Sequence, residues 1–152
     1  MADWYKILVA VDDSSLSERV LNYVGEVVGS LDKVEIRLLH VYPEPPPHYF
    51  TEEKHTLLEY QQEKESVATQ IFAKAAGVLA NHGVGGEKIT SSCLMATGKT
   101  FSKTILQVRK EGGFGTVVLG KRGISKAEEF LFGSVSNAVI RESHDFTVWV
   151  VS

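Results

Sequence analysis

Five short apolar runs, each rich in β-branched residues and of strand length, constrain the fold of this chain most strongly. They cover residues 7–11, 34–41, 89–95, 116–119 and 147–151. Within the runs, apolar residues follow one another directly instead of alternating with polar ones. Strands of this kind are buried on both faces, which is typical of a parallel sheet covered by helices.

Apolar residues at helical spacing occupy the segments between the runs. They are Leu16, Val20, Val24 and Val27, then Val67, Ile71, Ala75 and Val78, then Phe101, Ile105 and Val108, and finally Val135, Ala138 and Val139. The resulting order βαβαβαβαβ predicts an α/β fold, an open five-stranded parallel sheet with helices on both faces. A length of 152 residues predicts one domain over residues 1–152.

Local signals mark the predicted helix ends. Ser15 and Glu18 have the spacing of a capping box at the start of the first helix. The run Asn81-His82-Gly83 is expected to end the second helix, and Gly112-Gly113 the third. The prolines at 43 and 45–47 predict an extended surface excursion over residues 43–55 after the second strand.

Composition excludes several classes of protein. A formal net charge of −3 with a pI near 5.9 argues against a nucleic-acid partner, because nucleic-acid binders usually carry a basic face. No run approaches the ~18 apolar residues of a membrane span, and no signal peptide is apparent, so we expect a cytoplasmic protein without a membrane partner. The single cysteine, Cys93, is interpreted as a small apolar residue of a strand.

Two features of the sequence resemble functional sites of other kinds, a P-loop and a set of histidines. Thr97-Gly98-Lys99-Thr100 resembles the end of a P-loop, but Cys93 stands where the first glycine of that loop belongs, so we interpret it as a plain helix start. The five histidines lack metal-ligand spacing. His40, which ends a strand near the predicted ligand site, is interpreted as a packed or solvent-linked residue and not as a catalyst. No nucleophile elbow or acid pair is present, so the sequence predicts no catalytic residue and no metal site.

The most informative pattern is glycine-rich. Gly120 ends the fourth run, Gly123 follows at Gly-x-x-Gly spacing, and a nine-residue spacer leads to Gly133-Ser134 at the start of the last helix. Glycines let a backbone turn tightly beside a ligand, and the free N–H groups of a helix start suit phosphate oxygens. Arg122 could add a positive charge there. The alternative is that Gly120 and Gly123 only end a strand and that Gly133 permits close helix packing.

This pattern resembles the nucleotide-binding signature of the universal stress protein family. The resemblance extends to residues 7–14, similar to the family's opening strand and Asp-x-Ser turn, to residues 38–41 of the second strand, and to residues 133–151. Two positions depart from it. Lys121 stands where a Ser or Thr is common, and Thr147 where a Pro often begins the last strand.

The resemblance implies a sheet of order 3-2-1-4-5 with ATP, ADP or AMP, with or without Mg²⁺, at the carboxyl ends of strands 1 and 4. It implies that Asp12 approaches the ribose or adenine and that main-chain groups of Val41 hold the adenine. The residues expected around the phosphates are Gly120, Arg122, Gly123, Gly133, Ser134, Val135 and Ser136. The resemblance also implies a homodimer formed through the strand at residues 147–151.

Three functions are compatible with these features. The first is a regulatory module of the stress response that binds ATP, the second a slow ATP hydrolase, and the third an interaction protein whose pocket is vestigial. The intact glycine pattern favours the first two. Phosphoryl transfer needs a positioned water and usually Mg²⁺, and the sequence shows neither.

Overall fold

The five apolar runs form one parallel sheet in the computed structural model of the chain, which describes residues 2–51, 56–121 and 134–152. The strand order is β3-β2-β1-β4-β5, so the expected fold class and order are confirmed. The strands are β1 Asp3–Ala10, β2 Glu35–Pro43, β3 Ile89–Ala96, β4 Phe114–Gly120 and β5 Thr147–Val151.

Strand β1 lies at the centre of the sheet. Its residue Val9 pairs with Leu38 of β2 on one side and Val118 of β4 on the other. Ile7, Leu8 and Val9 have no exposed surface, because helices cover both faces of the sheet. The continuous apolar character of the run follows from this double burial.

The described residues contain five helices. They are α1 Ser15–Val28, α2 His48–Thr51, α3 Leu57–Asn81, α4 Phe101–Gly112 and α5 Ser134–Arg141, with a 3-10 turn at Gly86–Lys88. One core, which contains Val24 of α1 and Leu79 of α3, covers one face of the sheet. The other core contains Ile105 of α4 and Val139 of α5. Helices α1 and α3 therefore lie on one face, and α4 and α5 on the other.

The predicted helix stops are confirmed. Helix α3 ends at Asn81 with Gly83 at φ 93°, and α4 ends with Gly113 in the left-handed conformation at φ 68°. A side chain in that conformation is strained, whereas glycine adopts it freely.

The predicted capping box of α1 is wrong by one residue. The N-cap is Ser14, whose hydroxyl accepts a hydrogen bond from the N–H of Ser17 at 3.2 Å. A capping box needs a Glu or Gln three residues after the N-cap, and Glu18 lies four residues after Ser14. A complete capping box instead opens α3, where Thr56 and Glu59 each accept a bond from the other's backbone N–H at 3.2 Å.

The proline segment is also more ordered than the sequence indicates. Strand β2 continues to Pro43, and a four-residue helix, α2, begins at His48, while residues 52–55 of the predicted excursion lie outside the described residues. The Tyr60 hydroxyl donates to the carbonyl of Pro43 at 2.6 Å. Its ring lies 5.1 Å from that of Tyr49. The short helix α2 therefore replaces the end of the predicted extended stretch, and Tyr49 packs it against α3.

Within the three described segments, no helix combines the length and the apolar character that crossing a bilayer requires.

Candidate functional site

The sheet has its topological switch point between β1 and β4. From β1 the chain passes through α1 to β2 on one side, and from β4 it continues to β5 on the other. The connections that leave the two carboxyl ends therefore run in opposite directions and leave a crevice between them, which is where open α/β sheets bind ligands. A cavity of about 290 Å³ lies at this point, lined by the ends of β1, β2 and β4 and the first turns of α1, α4 and α5.

All six of the predicted site residues that the structure describes line this one cavity. They are Asp12, Val41, Gly120, Ser134, Val135 and Ser136. The other three predicted residues, Arg122, Gly123 and Gly133, lie outside the described residues. Residues separated by more than 120 positions in sequence are thus brought together, and their role in binding stays a prediction.

Asp12 belongs to a set of hydrogen bonds in the turn between β1 and α1. Its Oδ1 atom accepts from the N–H of Ser14 at 2.8 Å and from the Ser14 hydroxyl. The N–H of Asp12 donates to the hydroxyl of Ser17 at 3.1 Å, and the Ser14 hydroxyl caps the N–H of Ser17. Because each group constrains the next, the Asp12 carboxylate is held beside the cavity by the start of α1.

Both backbone groups of Val11, the preceding residue, are also engaged. Its N–H donates to the carbonyl of Leu39 at 2.8 Å, and its carbonyl lies 2.8 Å from Nδ1 of His40. A carbonyl oxygen only accepts, so Nδ1 of His40 carries the proton. His40 is therefore a packed histidine with a backbone partner, one of the two roles that the sequence interpretation allows, and it lines the cavity.

Val41 lies near the carboxyl end of β2, where β2 extends beyond the last residue of β1. Peptide groups of a strand point alternately to its two sides, so those of Val41 face the same side as the Leu39 carbonyl, toward β1. Strand β1 ends at Ala10, which pairs with Leu39. The main-chain donor and acceptor of Val41 thus lie beyond the last paired residue of β1, beside the cavity that Val41 lines.

Gly120 ends β4, as the alternative interpretation states, and it also has a packing role that the sequence did not indicate. A Cβ atom at this position would lie 2.9 Å from the side chain of Leu16 and 3.4 Å from that of Val20, both in α1. Glycine therefore allows α1 to pack closely over the end of β4. It also keeps the same stretch of backbone accessible from the cavity.

The start of α5 supplies polar groups at the far side of the cavity. Ser134 is the first residue of the helix, and Ser136, in its first turn, is 2% exposed. The first N–H groups of a helix have no partner within the helix, and they carry the positive end of the helix dipole. This arrangement favours an anion beside Ser134 and Ser136.

The P-loop-like segment is occupied by other interactions. The N–H of Gly98 donates to the Glu44 carboxylate at 2.9 Å, and the Lys99 amine contacts the side chain of Gln107. Thr100 caps α4 by accepting from the N–H of Lys103 at 3.2 Å. The segment begins a helix, as predicted. The Glu44 carboxylate beside Gly98 would repel a phosphate.

Cys93 is half-buried in β3. Burial raises the pKa of its thiol, and the nearby Glu65 carboxylate raises it further. A thiol held in its neutral form is a poor nucleophile and a poor metal ligand. Among the residues that the structure describes, no three His, Cys, Asp or Glu side chains are grouped so that they could hold a metal ion.

Comparisons with known proteins agree with this architecture. Residues 4–152 match the model of the Universal stress protein family. The chain is 31% identical over 147 residues to Universal stress protein YxiE from Bacillus subtilis (strain 168), covering 88% of this chain and 90% of that one.

Two solved structures show the same fold. Hypothetical protein MJ0577 superposes with a TM-score of 0.74 at 26% identity, over 97% of this chain and 95% of the other. The universal stress protein from Archaeoglobus fulgidus in complex with dAMP superposes with a TM-score of 0.68 at 23% identity, over the whole of both chains.

Proposed function

The chain belongs to the universal stress protein family, and on this premise we propose that it binds an adenine nucleotide in the cavity between the carboxyl ends of β1 and β4. ATP is the expected ligand, with ADP and AMP as alternatives. The protein would act as a regulatory module of the stress response, in which the bound nucleotide and not a catalysed reaction carries the signal.

The observation that carries this proposal is that one cavity combines an apolar wall with polar groups from two helix starts. The apolar wall consists of residues that pack in one core, namely Leu39, Val41, Ile105 and Leu119. The polar groups come from Asp12, Ser14 and Ser17 around the start of α1 and from the serines that begin α5. Ligand sites of this type combine an apolar wall with a few convergent polar groups. A nucleotide has matching chemistry, with a flat base at one end and phosphates at the other.

Each part of the nucleotide has a candidate partner. The base would lie against the apolar wall, with its edge bonded to the main chain of Val41. The ribose would approach the fixed carboxylate of Asp12. The phosphates would lie at the start of α5, near Ser134, Val135 and Ser136, with Gly120 leaving room for their approach. The A. fulgidus relative whose fold this chain shares carries dAMP, which supports an adenine ligand.

Three further residues belong to the proposed phosphate site by sequence pattern alone: Arg122, Gly123 and Gly133. Mg²⁺, if it accompanies ATP, would be held mainly by the phosphate oxygens, because no acidic cluster of the described residues provides a ready-made site.

We also propose that the protein forms a homodimer through β5. This strand lies at an edge of the sheet, and Val148, Trp149, Val150 and Val151 are only half-buried. An apolar edge strand is open to pairing with another strand. Beside it, the ring of Tyr23, a residue that is 47% exposed, meets Trp149 edge to face at 6.0 Å. A second copy would cover both the strand edge and this aromatic pair.

The single cysteine, unpaired and half-buried, suits a reducing compartment. We therefore propose that the protein acts in the cytoplasm.

Thermal melting with added nucleotides tests the binding proposal. A ligand that binds only the folded state at a hundredfold excess over Kd adds about 2.7 kcal/mol, which corresponds to a rise in Tm of about 5 to 10 °C for a chain of this size. ATP should give this rise and GTP a smaller one, because the main chain of Val41 would read the edge of the base. If nucleotide-free protein gave no shift with millimolar ATP and Mg²⁺, the binding proposal would fail, and an interaction protein with a vestigial pocket would replace it.

A further inference from the structure

The apolar wall of the cavity contains a ring that the glycine pattern does not explain. Phe101 is the first residue of α4, is half-buried, and is the one phenyl, phenol or indole side chain among the described residues lining the cavity. Ile105, one helical turn later and 3% exposed, lines the same wall. Leu39 and Val41 continue this wall on β2.

The backbone that carries Phe101 is fixed from both sides. On the helix side, the Thr100 hydroxyl accepts from the N–H of Lys103, and the Thr100 carbonyl accepts from the N–H of Thr104 at 3.1 Å. On the loop side, Glu44 accepts from the N–H of Gly98 at 2.9 Å. The ring is therefore attached to a rigid helix start, which is the kind of element that positions a binding group accurately.

Other aromatic side chains at this end of the sheet pack against one another. The ring of Tyr60 lies 5.1 Å from that of Tyr49 and 5.9 Å from that of Tyr42. Phe101 makes no such ring contact within the described part of the chain. An aromatic residue that borders a cavity without an aromatic neighbour keeps a surface available for a flat ligand.

We propose that Phe101 is a base-recognition residue, whose ring stacks on the base of the bound nucleotide and sets a preference for purines over pyrimidines. The inference rests on the proposed nucleotide site and assigns it a specificity determinant. Purines present a larger flat surface than pyrimidines, so a stacking contact favours them. Val41 then distinguishes adenine from guanine by its main chain, while Phe101 distinguishes purines from pyrimidines by its ring.

The test is isothermal titration calorimetry with ATP, UTP and tripolyphosphate on nucleotide-free protein. The variant Phe101→Leu removes the ring and keeps an apolar side chain of similar size, whereas Phe101→Tyr keeps the ring. Phe72→Leu is the matched control, because Phe72 is a partly buried ring on α3, packed on the opposite face of the sheet.

Phe101→Leu should bind ATP about 5- to 100-fold more weakly than the natural chain, by the usual size of base stacking on aromatic rings. The ratio of ATP to UTP affinity should fall, while tripolyphosphate affinity, Phe101→Tyr and Phe72→Leu stay close to the natural values. Equal ATP affinity in Phe101→Leu would overturn the inference and leave the nucleotide proposal standing. An equal loss for ATP, UTP and tripolyphosphate would also overturn it, because that result indicates structural damage. Failure of the natural chain to bind ATP would refute both proposals.

Discussion

The substitution Ser14→Ala tests whether the turn at Asp12 is built as the structure shows. The Ser14 hydroxyl makes two bonds: it caps the N–H of Ser17 at 3.2 Å, and it donates to Oδ1 of Asp12. Alanine makes neither. The substitution should therefore destabilise the start of α1 and loosen the Asp12 carboxylate in one step.

The expected magnitude follows from these two bonds. Loss of an N-cap hydroxyl costs about 1 kcal/mol and at most about 2 kcal/mol. Ser14 is exposed, so water replaces its bond to Asp12 and the further loss is small. A total of about 1 to 2 kcal/mol corresponds to a fall in Tm of about 3 to 6 °C for a chain of this length. Differential scanning calorimetry without nucleotide measures it directly.

Ser15→Ala is the matched control. Ser15 is the adjacent residue, is equally exposed, and is the residue that the sequence pattern predicted as the cap. As the first residue of the helix it should tolerate alanine within about 0.5 kcal/mol. If Ser15→Ala lowered Tm as much as Ser14→Ala, or if Ser14→Ala left Tm unchanged, the described cap of α1 would be refuted.

Three further outcomes are expected. Lys99→Ala should leave the affinity for ATP unchanged, because Lys99 contacts Gln107 and its loop is tied to Glu44; a large loss by calorimetry would restore the P-loop-like segment as the phosphate site. Val150→Lys should convert a dimer at micromolar concentration into a folded monomer in light scattering, and a monomeric natural chain would contradict the pairing through β5. Burial raises the pKa of the Cys93 thiol, so the folded state holds the thiol proton more tightly than the unfolded chain does. The contribution of this proton to the free energy of unfolding is complete below the usual thiol pKa of 9.0. It is lost as pH rises through the raised pKa of the folded state. The Tm of Cys93→Ser should therefore fall less at alkaline pH than that of the natural chain. An equal fall in both proteins would contradict the raised pKa of Cys93.

The sheet could be predicted from the sequence because its signal is local. Residues 7–11 and 116–119 are continuous apolar runs, and burial on both faces leaves no other placement for them. The strand order came from the family resemblance, since periodicity alone does not fix which strands are neighbours. Gly83 and Gly113 end their helices as predicted, because a left-handed residue after a helix has a clear sequence signature.

The details that were missed depend on contacts between distant residues. The hydrogen bond from His40 to the carbonyl of Val11 joins residues 29 positions apart. No local sequence pattern predicts such a bond. The short helix α2 forms beside Tyr60, whose ring and hydroxyl hold the proline segment. The cap of α1 was misplaced by one residue because Ser14 and Ser15 are chemically identical and only the backbone conformation distinguishes them.

That one cavity combines an apolar wall with the polar starts of α1 and α5 also required the structure. Asp12, Gly120 and Ser136 were identified through the glycine pattern and the family resemblance. Phe101 and Ile105 appeared in the sequence only as apolar positions of a helix. Their position beside Val41 depends on how α4 packs across β2, which is a tertiary contact without a sequence motif.

An amide chemical-shift titration with ATP on uniformly labelled protein tests the central claim most directly, because it locates the ligand without any substitution. The account predicts that the shifts centre on residues at the carboxyl ends of the strands, namely Asp12, Val41, Gly120 and Ser136. Amides nearer the amino ends of the strands, such as that of Lys6, should stay unchanged. Shifts centred on Gly98, or no shifts with millimolar ATP and Mg²⁺, would contradict it.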